Sequence, residues 1–194
     1  MLAKRSHFLL AALTAAMLLG NGAQAAEATT TLGPNGEQPT PYTQVTLTTA
    51  QQDRVKAQHY TAAILMHTTS DWSSALIKGA KDRFHDLNVK VVAVTDAEFN
   101  ANKQRTDVET VMAMAPDIIL TLVVDPVSGA AAFRPAVQQG SKLVLISNLP
   151  TGFEYGKDYA GIVTDDLFEM GGVGCRHAGQ DGGRAGQDRL HLPR

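Results

Sequence analysis

Between residues 61 and 170, short apolar runs alternate with stretches of helical periodicity. Thr61 to Met66 is a compact apolar run, predicted as a first strand. From Ser73 to His85, Leu76, Ile77, Ala80 and Phe84 fall on one face at 3.6-residue spacing, which predicts a helix. Val89 to Val94 is rich in β-branched residues and predicts a second strand. Lys103 to Met114 carries an apolar stripe of Val108, Val111, Met112 and Ala115, and Pro116 ends that helix. Ile118 to Val124 predicts strand three. Ser128 to Gln139 predicts a helix closed by Gly140 in the position where left-handed backbone is wanted. Leu143 to Ile146 and Tyr159 to Val163 predict strands four and five. Asp165 or Asp166 then caps a last helix.

These strands read as continuous apolar runs rather than as an in-out alternation, so both faces are covered. Regular alternation with helices implies a parallel sheet with right-handed crossovers. The fold class is therefore α/β, a doubly wound parallel sheet of flavodoxin-like topology. About 110 residues are enough for one hydrophobic core. In such sheets ligands meet the carboxyl ends of the strands. Function is to be sought just after Met66, Val94, Val124, Ile146 and Val163.

Residues outside this block read differently. Residues 1–25 have the parts of an export signal: Lys4 and Arg5, an apolar run from Phe8 to Leu19, and the small-x-small site Ala23-Gln24-Ala25. That run is short of the roughly 20 residues a membrane span needs. Cleavage near Ala25 and release to the periplasm are expected, with a single membrane anchor as the alternative. Residues 26–46, with Gly33-Pro34-Asn35-Gly36 and Pro39-Thr40-Pro41, have loop chemistry and predict a flexible leader. Thr48-Thr49-Ala50-Gln51 carries a capping-box pattern and opens a short helix that runs to about Gln58. The unit expected to fold as an α/β lobe is 47–170. Past Met170 the apolar periodicity stops, and glycine and arginine replace it. A natural flexible tail is one explanation for 171–194. Loss of the reading frame near residue 171 is the one favoured here, leaving a tail that is not a selected sequence.

Charge narrows the function. The chain has 17 basic and 19 acidic residues, a net of −2, which moves to −4 once Lys4 and Arg5 are removed with the leader peptide. No basic excess exists to hold a phosphate backbone, so nucleic acid is not an expected partner. One cysteine makes neither an intramolecular disulfide nor a thiolate-rich zinc site. The Gly-x-Gly-x-x-Gly, phosphate-loop, nucleophile-elbow and His-Glu-x-x-His patterns do not occur. His59, His67 and His85 stand in different elements without metal-ligand spacing, and are read as structural. No enzyme chemistry, cofactor or metal is expected.

Polar residues do gather at the expected strand ends. Ser70, Trp72 and Ser73 follow strand one at a helix start, where free amides favour anionic or hydroxyl oxygens. Trp72 can stack on the apolar face of a sugar ring or pack inward. Ser70 can contact ligand or merely cap the helix. Asp96 after strand two can accept ligand hydroxyls or serve as a turn carboxylate. Asp125 after strand three can face ligand or cap the next helix. Asn148 after strand four offers both a donor and an acceptor. Thr164 and Asp165 after strand five read as a cap or a hinge.

Taken in order, these pieces resemble the amino-terminal lobe of type I periplasmic sugar-binding proteins of the ribose-binding-protein-like family. The resemblance covers about Tyr60 to Gly171. It rests on the Thr/Ser-rich loop with its aromatic, Lys78-Gly79-Ala80, Asp96, Asn102-Lys103-Gln104, Pro116-Asp117-Ile118-Ile119-Leu120, Asp125-Pro126, Gly140, Thr164-Asp165-Asp166 and Met170-Gly171. It implies one lobe of a two-lobe receptor that serves an ABC importer and closes on a small solute about a hinge. The implied partners are a sugar or polyol and a membrane permease, and the implied state is a monomer. By position Trp72 is similar to the family's ring-stacking aromatic, and Thr164 and Asp165 fall near the first hinge crossing. Ser70, Ser73 and Ser147-Asn148 stand where ribose binders carry Asn, Phe and Asp-Arg, which argues against ribose itself. The second lobe would begin near Gly171, where the composition changes. The expectation is thus a truncated half-receptor that binds weakly or not at all. Two readings compete: an exported flavodoxin-like domain with a regulatory or enzymatic role, such as a phosphoacceptor, and the sensor half of a transcription repressor. The export signal speaks against both.

Overall fold

The computed structural model describes residues 31–166 together with Met170 and Gly172. The export signal, the first residues of the leader, and nearly all of the last helix and the tail lie outside the described residues.

The helix predicted from Thr48 is α1 (Thr49–Gln58), and both halves of its capping box are formed by Thr48 and Gln51. Then follow β1 (Thr61–Met66), α2 (Asp71–Asp86), β2 (Lys90–Asp96), α3 (Ala101–Met112), β3 (Ile118–Thr121), α4 (Pro126–Gln138), β4 (Lys142–Ile146) and β5 (Gly161–Val163). Among the described residues the strands form one parallel sheet in the order β2-β1-β3-β4-β5. That is the flavodoxin-like order, and its switch point lies between β1 and β3.

Period-two alternation in β1 divides the core. Ala62, Ile64 and Met66 face one layer, where Val55 of α1 and Leu76, Ile77, Ala80 and Phe84 of α2 pack. Ala63 and Leu65 face the other, built on Val108 and Val111 of α3 and Ala132, Phe133 and Ala136 of α4. The apolar stripe predicted for α2 is therefore the one it buries.

Several predicted boundaries move, each for a local reason. α3 starts at Ala101, two residues early, because the Asn100 side chain accepts from the amides of Asn102 and Lys103. It also ends early, at Met112, so Ala115 leaves the predicted stripe; it is exposed with φ +45°. α4 starts with Pro126 behind an Asp125 cap. At its other end Gly140 (φ +99°) donates to Val137, and Ser141 donates to Ala136, closing a Schellman turn. β3 stops at Thr121 rather than Val124 because a side chain takes over its hydrogen bonds. Gln104 Nε2 donates to the Leu122 carbonyl (2.9 Å), and the Val124 amide donates to Gln104 Oε1 (3.0 Å).

The connection between β4 and β5 carries no helix. Residues 147–160 instead form a folded loop that buries Phe153 and Tyr159 against the α3/α4 layer. The buried Asp158 carboxylate holds this loop by accepting from Arg134 of α4 and from the Glu154 amide. Arg134 also lies over the Phe153 ring, 4.0 Å from its centroid. In the leader, a turn at Gly33–Glu37 precedes a single 3-10 turn (Tyr42–Gln44), and Thr31 donates to the Asp166 carboxylate (2.9 Å).

Candidate functional site

The carboxyl ends of the five strands lie along one edge of the sheet, and every residue singled out from the sequence lies at or near that edge. They fall into two groups. With neighbouring strands about 4.8 Å apart, the ends of β2 and β4 are about 14 Å apart, more than one sugar ring spans.

The first group stands at β1 and β2. Trp72, in the first turn of α2, is 45% exposed, so the inward-packing alternative does not hold. Ser70 and Ser73 are engaged locally. The Ser70 side chain accepts from the Ser73 amide (3.1 Å), and the Ser73 hydroxyl oxygen accepts from the Ser70 amide (2.7 Å). Ser73 is fully buried. This reciprocal cap fixes the start of α2 and thereby the place of Trp72, while leaving Ser73 no surface to offer a ligand. Asp96 is the last residue of β2, which runs two residues past its predicted end at Val94. Its Oδ2 accepts from the Thr69 hydroxyl and its Oδ1 from the Glu98 amide (2.8 Å). The Thr69 hydrogen bond, then the Glu98 amide, with the Lys103 charge as a smaller cause, hold this carboxyl below the usual carboxylate range. Asp96 is thus an anionic acceptor at neutral pH with its orientation set.

Two aromatic residues complete this group, and neither was picked out from the sequence. His67 follows β1 directly. Its ring lies edge-to-face with Trp72 (centroids 6.3 Å apart, 71°) and with Phe99 (5.0 Å, 74°). Burial lowers the His67 pKa, and the Asp96 charge opposes that only in part. The ring is therefore neutral at neutral pH, and its Nδ1 is buried without a hydrogen-bond partner in the structure. Phe99 is 67% exposed. A single phenylalanine in Ala97-Glu98-Phe99-Asn100 carries no periodic signal, and a lone histidine reads as structural. Proximity across two strands is what makes them a cluster.

The second group stands at β3, β4 and β5. Asp125 caps α4 by accepting from the amide and hydroxyl of Ser128, both at 2.7 Å, which keeps its carboxyl below the usual range. It is exposed. Asn148 donates through Nδ2 to the Val123 carbonyl (2.8 Å), tying the β4 exit to the β3 exit and leaving Oδ1 as an acceptor. Ser147 turns with φ +57°, and its hydroxyl lies 3.4 Å from that of Thr164 after β5. Thr164 and Asp165 are exposed. Among the described residues no cluster of three or more His, Cys, Asp or Glu could hold a metal ion, and no helix is long and apolar enough to cross a membrane.

The sequence profile of the periplasmic binding protein domain matches residues 61–188. The chain belongs to that family. The match starts at β1 and runs through the composition change near residue 171. Among solved structures, the periplasmic binding fold recurs in the fructose-binding periplasmic domain of a hybrid two-component system. That likeness has 20% identity and a TM-score of 0.53, over 64% of this chain and 41% of that one. The periplasmic ribose ABC transporter protein of Conexibacter woesei is similar at 16% identity and a TM-score of 0.51, over 61% of this chain and 39% of that one. At these identities the likeness establishes the fold. This chain spans about two fifths of the length of either protein. No curated protein matches the chain.

Proposed function

We propose that this chain is the amino-terminal lobe of an exported solute receptor for an ABC importer, and that its strand-end edge forms one wall of a cleft for a sugar or polyol. The observation that carries this reading is the exposed Trp72 beside a pre-oriented, ionised Asp96, on the strand-end edge of a periplasmic-binding-protein lobe. An indole offers an apolar plane to the C–H face of a sugar, and a fixed carboxylate accepts its hydroxyls. Fructose and ribose, named for the two similar structures, make sugars the first class to try. Asp125 and Asn148 are the acceptors proposed for the far end of the cleft, and Thr164 and Asp165 the first hinge crossing. Ser70 and Ser73 act by positioning Trp72. The reaction is binding and release, with no bond made or broken and no cofactor.

A single wall leaves much of a bound ligand in water, and closure of a second lobe contributes nothing to this lobe's own affinity. Sugar binding by this lobe alone is therefore weak. Calorimetric titration with a sugar and polyol panel is expected to give dissociation constants in the millimolar range or above. Micromolar binding would refute the one-walled site. Cell fractionation tests export: recovery in the periplasm supports the receptor, and recovery in the cytoplasm removes it.

A further inference from the structure

We propose that Phe99 and His67 extend Trp72 into one aromatic patch on this wall, which selects ring-form sugars and cyclitols over open-chain polyols; this rests on the receptor reading above.

The argument starts from the backbone. Glu98 (φ +52°) and Phe99 (φ +56°) are consecutive non-glycine residues in the left-handed region. Each such residue is strained and persists only where its surroundings over-determine it. Here they do. The Glu98 amide donates to Asp96 Oδ1, the Phe99 amide to the His67 carbonyl (2.7 Å), and the Asn100 amide to the Ala97 carbonyl (2.8 Å). Lys103 Nζ donates to the Asp96 carbonyl and lies 3.8 Å from the Glu98 carboxylate. All this holds up a phenylalanine that stays two-thirds exposed. The ring contributes little to the core, so the fold gains little from the strain. What the strain secures is the ring's place against His67, which also contacts Trp72.

The chemistry of this patch points to a neutral ring. Three rings present C–H and π surface. Asp96, the carboxylate beside them, is already hydrogen-bonded and lies near Lys103, so no cation is demanded. His67 is neutral, so no anion is demanded either. A pyranose or cyclitol carries a preformed apolar face, whereas an acyclic polyol must freeze its chain to display one.

Trp72 is the chain's one tryptophan, so its fluorescence reports on this patch directly. The full chain is titrated with myo-inositol and methyl glucoside as cyclic probes and sorbitol as the acyclic one, following Trp72 emission and its protection from acrylamide. Wild type is expected to show protection by the cyclic probes at lower concentration than by sorbitol. Phe99→Ala is expected to weaken the cyclic probes about three- to tenfold, the size of one aromatic contact, and to leave sorbitol unchanged. Phe99→Tyr is expected to keep the preference. Unaltered far-ultraviolet circular dichroism verifies that each variant is folded. Cyclic-probe affinity unchanged in Phe99→Ala, with Trp72 still protected, overturns the extended aromatic patch and leaves the receptor standing. No protection by any carbohydrate removes the receptor reading at this edge, and the patch with it.

Discussion

Replacement of Gln104 by methionine tests how the sheet edge is held. Gln104 is almost wholly buried in α3, and its amide stands in for a neighbouring strand. It gives a hydrogen to the Leu122 carbonyl and takes one from the Val124 amide, at 2.9 and 3.0 Å. Methionine matches its length and roughly its volume, so no large cavity forms and the packing contribution is small. What is lost is both partners of two backbone groups. Leaving one buried backbone group unpaired costs about 1–3 kcal/mol. Leu122 and Val124 are only part-buried and water can reach them in part, so the lower half of that range applies to each. The sum is about 2–4 kcal/mol, a large share of a typical domain's 5–15 kcal/mol. For a domain of this size that is a fall in Tm of about 6–16 °C. Urea unfolding followed by circular dichroism and Trp72 emission measures it, with Arg105→Ala as the control. Arg105 is exposed, and its ion pair with Glu109 is worth well under 1 kcal/mol. A Gln104→Met loss no larger than the control's would refute the reasoning that this amide replaces strand pairing.

Three further outcomes follow from particular contacts. Arg134→Ala leaves the buried Asp158 carboxylate with only the Glu154 amide. The expected cost is about 2–3 kcal/mol in urea unfolding, below the full penalty for a buried pair because Arg134 is itself partly exposed. Gly129→Ala places a Cβ on Cγ1 of the buried Val123, in the β3 exit. Overpacking of about 1–3 kcal/mol is expected to outweigh the gain in helix propensity of about 1 kcal/mol, and a stabilised variant in thermal unfolding would contradict it. The His67 pKa is lowered in the folded state, so the unfolded chain takes up a proton first as pH falls. Stability is therefore full above the ordinary histidine pKa and declines as pH drops through and below it. The urea midpoint is expected to fall between pH 8 and pH 5, and His67→Phe is expected to flatten that slope. Asp96, Asp117 and Asp125 add losses of the same sign at lower pH, because each is held below the usual carboxylate range.

Much of the α/β lobe was legible along the chain because its information is local. The β-branched runs became strands, the 3.6-residue stripe of α2 became its buried face, and Thr48, Gly140 and Pro126 stand at helix ends for reasons of capping and backbone geometry. Parallel pairing follows from the alternation, and the hand of the connections from the crossover rule. So does the edge on which a ligand is to be sought, and Trp72, Asp96, Asp125 and Asn148 stand along it. Tertiary structure alone decided what those residues are free to do. Whether a serine touches ligand or caps a helix depends on where its hydroxyl points, and Ser70 and Ser73 turn to each other. Phe99 and His67 become partners only because parallel pairing of β1 with β2 brings their two exits together. Gln104 reads as an ordinary helix residue until the β3 exit lies against it. Local pattern dictates elements and their capping. Contacts between residues distant along the chain depend on how the elements pack, and the arrangement at the sheet edge is made of such contacts.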